Sequence, residues 1–108
     1  MTMKAFTDIS QGKKLAEILP MESADMYLDY DFLKHEVYAM IMDDQFDDTC
    51  IRAWSLAALL DALPSSTLDS SNDHYYRSYC MERFTEWHDN AVDACYEMII
   101  KLHEQKLL

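Results

Sequence analysis

Residues Ala24–Asp43 read ADMYLDYDFLKHEVYAMIMD, and their assignment decides the fold. Met26, Leu28 and Tyr30 alternate with Tyr27, Asp29 and Asp31, the two-residue period of a β-strand. Val37–Met42 is a second run with β-branched and aromatic content, which suits a pleated surface. A turn around Asp31–His35 joins the two as a hairpin. Asn-Gly and Asp-Gly, the strongest hairpin signals, are missing there, so a helix over Phe32–Met42 is the competing assignment. Two strands here give the fold its first hairpin; a helix would remove it.

Working outward, Asp8–Pro20 (DISQGKKLAEILP) reads as a helix. Asp8 or Ser10 caps it, Leu15, Ile18 and Leu19 form its apolar stripe, and Pro20 stops it. Ala53–Pro64 (AWSLAALLDALP) is the clearest element. Ser55 is an N-cap, and Trp54 before it is placed to staple onto Leu59. Leu56, Leu59, Leu60 and Leu63 recur at i, i+3, i+4 and i+7, one helix face, and Pro64 ends it. Ser65–Asp73 (SSTLDSSND) reads as polar punctuation. His74–Asp89 (HYYRSYCMERFTEWHD) reads as strands, with Tyr75, Arg77 and Tyr79 alternating against Tyr76, Ser78 and Cys80. The alternation slips at Met81–Arg83, which marks a turn. Asn90–Leu108 (NAVDACYEMIIKLHEQKLL) is a helix capped by Asn90. Val92, Cys95, Tyr96, Ile99, Leu102 and Lys106 follow its period, and Glu97 and Lys101 form an i,i+4 pair. The expected fold is α+β: a small antiparallel sheet of two hairpins packed with three helices, in the order α-ββ-α-ββ-α.

The 108 residues suit a single domain over 1–108, residues 1–7 being the part open to disorder. No stretch approaches the roughly 18 apolar residues of a membrane span, and MTMKAFTDISQGKK lacks a signal-peptide apolar run. The three cysteines, Cys50, Cys80 and Cys95, show neither C-x-x-C nor zinc-finger spacing. Reduced thiols in a cytoplasmic protein are the expectation. A single glycine, Gly12, leaves no material for a phosphate-cradling loop.

Charge is the unusual total, at −11. Between Glu22 and Asp48 nine acids face one base, Lys34, so that segment alone carries −8. Such a surface repels a phosphate backbone and attracts a basic protein. The same acidity also serves plain solubility. At its end, MDDQFDDTC (Met42–Cys50) places Asp43, Asp44, Asp47 and Asp48 in a D-D-x-x-D pattern. Hard cations need carboxylate oxygens converging at about 2.0–2.6 Å. Magnesium-dependent isoprenoid chemistry also needs a second acidic cluster and a large apolar cavity, and neither is legible here. The cluster is therefore expected to be a solvated acidic loop, with a small metal-dependent hydrolase as the alternative.

His35, His74, His88 and His103 show no H-x-x-x-H spacing and are expected at the surface. Ser55 is occupied as a cap, and Cys95 is expected to be buried and inert. No catalytic residue, cofactor or metal is expected. The aromatic stretch with Tyr75, Tyr76, Tyr79, Phe84 and Trp87 beside Arg77 and Arg83 turns about half of its rings to the core by strand alternation; its other half reads first as an ordinary sheet face, then as a protein interface, and base stacking is disfavoured by the negative charge. The candidate interaction surface is thus Asp43, Asp44, Asp47 and Asp48 with Tyr75, Arg77, Tyr79 and Trp87. Protein partners are expected, basic ones being favoured; nucleic acid and membrane are not.

Three segments carry a resemblance: ISQGKKLAEILPMESADMY, AWSLAALLDALP and NAVDACYEMIIKLHEQKLL. They resemble segments of small uncharacterised proteins from gut bacterial genomes and their prophage-like or mobile elements. The W-S-L-x-x-L-L and D-A-C-x-E-M-I helices carry it, and the match covers about half of the chain. The resemblance implies a phage-related or accessory protein and carries no activity with it.

Overall fold

The computed structural model describes residues 4–31, 36–41 and 50–108. Three helices and two three-stranded antiparallel sheets form an α+β fold. In chain order these are α1 (Ile9–Ala16), a single 3₁₀ turn (Met21–Ser23), β1 (Met26–Asp31), β2 (Glu36–Ile41), β3 (Ile51–Ala53), α2 (Leu56–Ala62), β4 (Ser66–Ser70), β5 (Tyr76–Cys80), β6 (Arg83–Phe84) and α3 (Ala91–Glu104). The first sheet has the order β2-β1-β3, and the second β4-β5-β6.

The deciding stretch is a strand pair. β1 and β2 run antiparallel with Met26 opposite Ile41 and Asp31 opposite Glu36, so the helical alternative for Phe32–Met42 is set aside over the described residues Glu36–Ile41. Strand β3 joins the free side of β1, with Leu28 opposite Ile51. Tyr27 and Leu28 are both buried, so this central strand is covered on both faces.

Each helix starts after an expected cap residue, and of the two candidates for α1 the cap is Asp8, not Ser10. Asp8 closes a full capping box with Gln11: its carboxylate accepts from the Gln11 N–H at 2.8 Å, and its own N–H donates to Gln11 Oε1 at 3.1 Å. Ser55 Oγ accepts from the Ala58 N–H at 3.2 Å, and Asn90 Oδ1 from the Asp93 N–H at 2.8 Å. The ends differ more. Helix α1 stops at Ala16, ahead of Pro20, although Leu19 N–H still reaches Leu15 O at 2.8 Å. Helix α3 stops at Glu104, before Lys106, which takes a left-handed φ of 60° while Leu107 N–H bonds back to Leu102 O.

The polar stretch after Pro64 is corrected by the structure. Ser66–Ser70 is strand β4, paired residue for residue with β5 from Ser66–Cys80 to Ser70–Tyr76. The expected turn at Met81–Arg83 is present: Met81 and Glu82 take φ of 51° and 66°, the two positive values of a tight two-residue hairpin turn. The β5–β6 pairing then continues irregularly, through Thr85 N–H to Ser78 O and a reciprocal Tyr76–His88 pair.

The core lies between the helices and the inner face of the second sheet. It includes Leu15, Trp54, Leu59, Cys80, Val92, Cys95, Met98, Ile99 and Leu102, all fully buried. Trp54 and Leu59 share this cluster, as a staple requires. Trp54 also ties three segments together. Its backbone exchanges hydrogen bonds with Thr7, and its indole N–H donates to Ser23 Oγ at 3.0 Å. Residues before α1 join in: Thr7 is fully buried, and Phe6 bridges to Ser55.

Candidate interaction surface

Strand alternation sorts β5 into two faces. Ser78 and Cys80 are buried against the core, whereas Arg77 and Tyr79 point the other way and are only half-buried. The register carries this outward face onto its neighbours, since Asp69 lies opposite Arg77, Thr67 opposite Tyr79, and Phe84 opposite Tyr79. Directly opposed side chains share a face and interact. The outer face of the second sheet therefore assembles Thr67, Asp69, Arg77, Tyr79 and Phe84.

Arg77 organises the cluster. Its guanidinium carbon lies 4.2 Å from the centre of the Phe84 ring and 4.6 Å from that of Trp87. Its Nε donates to Asp69 Oδ2 at 3.1 Å. Tyr79 stacks at a tilt on Phe84, with ring centres 4.7 Å apart. Such cation–π contacts are worth roughly 0.5–1 kcal/mol at exposed sites. They hold the rings in place without hiding them: Phe84 remains 48% exposed, Trp87 46% and Tyr75 48%. Flat, pre-ordered aromatic area beside an arginine is the composition of an interface centre. The arginine already carries its counter-ion, so the patch is close to neutral.

Of the residues singled out in the sequence, Arg77, Tyr79 and Trp87 come together here. Tyr75 is exposed in the loop before β5, where its N–H is held by Ser71 Oγ at 3.2 Å. Arg83 belongs elsewhere, donating to Gln105 Oε1 and to Met81 O. Asp43, Asp44, Asp47 and Asp48 lie outside the described residues. Asp69 escaped sequence reasoning because it sits among serines that read as a linker.

A second polar group also escaped it. His88 Nε2 lies 2.7 Å from Glu97 Oε1, and Glu97 Oε2 accepts the Glu86 N–H at 3.3 Å. Lys101 donates to Phe84 O at 3.1 Å and lies 3.8 Å from Glu97. These contacts fasten the β6 edge to α3; the Glu97–Lys101 pair is the local one read from the sequence, while the three that cross from β6 and its continuation to α3 join positions nine to seventeen apart and show no local pattern.

The nucleophile candidates are engaged or silent. Ser55 Oγ donates to Asp25 while it caps α2. Burial alone pushes the Cys95 thiol up to about 11, so it stays protonated at neutral pH. Among the described residues no group of three or more His, Cys, Asp or Glu side chains could hold a metal ion. Nor is any helix among them long and apolar enough to cross a membrane.

No protein-family model, curated protein or solved structure matches the chain.

Proposed function

We propose that the protein is a non-catalytic protein-interaction module, and that it serves a phage or mobile element, as the resemblance of its helices implies. The supporting observation is the outer face of the second sheet, where Phe84 and Trp87 stay about half exposed while Arg77 holds both rings. The chain's net charge of −11 favours a basic protein as partner and disfavours nucleic acid. A sharper form of the proposal is that the acidic segment imitates DNA toward a host DNA-binding protein.

Affinity capture from host-cell lysate at low salt tests this, with wild type run beside Trp87→Ala and Arg77→Ala. The expected result is one or a few basic proteins retained by wild type, released by salt, and lost or strongly reduced with both variants. Retention of nothing specific, or equal retention by all three proteins, overturns the proposal. Circular dichroism confirms that the variants are folded.

A further inference from the structure

The four outer strands of the two sheets are not equally closed. Strand β3 lies under α1, so tightly that a Cβ on Gly12 would sit 2.3 Å from Arg52 O. On β6, Phe84 O and the Glu86 N–H are taken by Lys101 and Glu97. Strand β2 lies inside the acidic segment of −8, where a like-charged neighbour is repelled. Strand β4 has none of these protections. Its five residues, Ser-Thr-Leu-Asp-Ser, contain no lysine or proline, the usual guards of an edge.

The hydrogen-bond pattern shows what β4 offers. Tyr76 and Ser78 direct their backbone groups to β6, through Tyr76–His88 and through Thr85 N–H to Ser78 O. In an antiparallel ladder such groups alternate sides along the strand. Arg77 and Tyr79 therefore bond to Asp69 and Thr67. That leaves the N–H and C=O groups of Ser66, Leu68 and Ser70 facing outward.

We infer that β4 pairs with β4 of a second copy of this chain, antiparallel about a two-fold axis at Leu68. The strand is nearly its own mirror around that residue. Ser66 meets Ser70 of the second copy, Leu68 meets Leu68, and Thr67 meets Asp69. The residues with outward backbone groups are the ones placed opposite each other, so the ladder closes. On the outer face each Thr67 hydroxyl meets a carboxylate, and no acid meets an acid. On the inner face Leu68, already packed against the core cluster, gains a leucine neighbour. Self-repulsion is modest here, because Ser66–His88 holds four acids and two arginines against the −8 of the first sheet's segment. The result is a six-stranded sheet with both Arg77–Phe84–Trp87 clusters on one face. The inference does not rest on the proposed heterologous partner, since pairing at β4 leaves Phe84 and Trp87 open.

Two short strands bury less than a standard interface, so the dimer is a weak one. Sedimentation equilibrium of the full chain up to about 1 mM is the test, run with Thr67→Asp and Thr67→Lys. Thr67 is exposed, so neither change disturbs the core. Thr67→Asp puts an acid opposite Asp69 of the second copy twice over and weakens the dimer about ten-fold; Thr67→Lys leaves it equal or tighter. Amide exchange at Ser66, Leu68 and Ser70 slows as wild-type concentration rises. A wild type that stays monomeric throughout, or two variants with the same association constant, overturns the inference.

Discussion

The two sheets have the same strand count and the same antiparallel pairing, yet each has one edge strand, β3 or β6, closed by a different kind of force. The first sheet sets backbone against backbone: α1 lies on β3 because Gly12, the chain's only glycine, has no side chain to hold it off Arg52 O. The second sheet uses side chains, with Lys101 and Glu97 reaching from α3 to Phe84 O and the Glu86 N–H. A steric closure is steep and insensitive to solvent. A charged, half-exposed closure is shallow and yields to salt. The first sheet's segment also carries most of the negative charge, while the second presents aromatic area with its arginine neutralised. Architecture is thus placed under the tighter constraint, and the exposed aromatic face lies on the more adjustable sheet.

The largest expected effect breaks the steric closure. Gly12→Ala forces a Cβ into a carbonyl oxygen at 2.3 Å. It should cost about 2 kcal/mol or more in urea unfolding, even though alanine gains roughly 1 kcal/mol of helix propensity. An unchanged midpoint would mean that α1 does not press on β3.

Next comes the joint between the chain start, α1 and α3. Asp93 accepts from Lys4 at 2.8 Å, Gln11 at 2.8 Å and Asn90 at 2.9 Å. Burial pushes its carboxyl up, but these three bonds and the Lys4 charge outweigh burial and leave its pKa below the usual carboxylate value. A pKa lowered on folding gives stability that is present above the unfolded pKa of about 3.9 and lost as pH falls through the lower folded value. Asp93→Asn should therefore cost about 1–2 kcal/mol at pH 7 and progressively less below about pH 4. A cost that does not shrink in acid would contradict this.

Ser78 then sharpens the contrast from the other side. Among the described residues its hydroxyl is the buried side-chain polar atom with no hydrogen-bond partner. Ser78→Ala should be neutral or stabilise the protein by about 1 kcal/mol, read as a higher Tm. A clear loss would show that the hydroxyl is satisfied. Lys101→Ala should cost only about 0.5 kcal/mol, and less at 0.5 M salt on the order of a 4 Å screening length. The smallest expected effect concerns the acidic run. Millimolar magnesium or calcium should leave Tm within about 1 °C, since ligand binding to the native state would raise it.

How much of this was legible in the sequence follows the range of each interaction. The caps Asp8, Ser55 and Asn90 act within three residues, and all three helix starts were readable. The alternation of Tyr76–Cys80 and the slip at Met81 are equally local. Strand β4 was not readable, because Ser66, Ser70 and Asp69 are turn formers by local preference and become a strand only through pairing with β5. Strand β3 is three residues, too short to show a period. Arg77, Tyr79 and Trp87 could be singled out from the composition of one stretch, but Asp69 and the His88–Glu97 contact needed the register and the helix docking to appear.

A partner bound to the outer face of the second sheet, as proposed, covers Trp87, which reports on it directly. Trp54 is fully buried and Trp87 is 46% exposed, so acrylamide quenches mainly Trp87 in the free protein. In the complex retained from lysate, this quenching should fall to near the level of a buried indole. Quenching of Trp87 that is unchanged in the complex would place the partner elsewhere and contradict the claim.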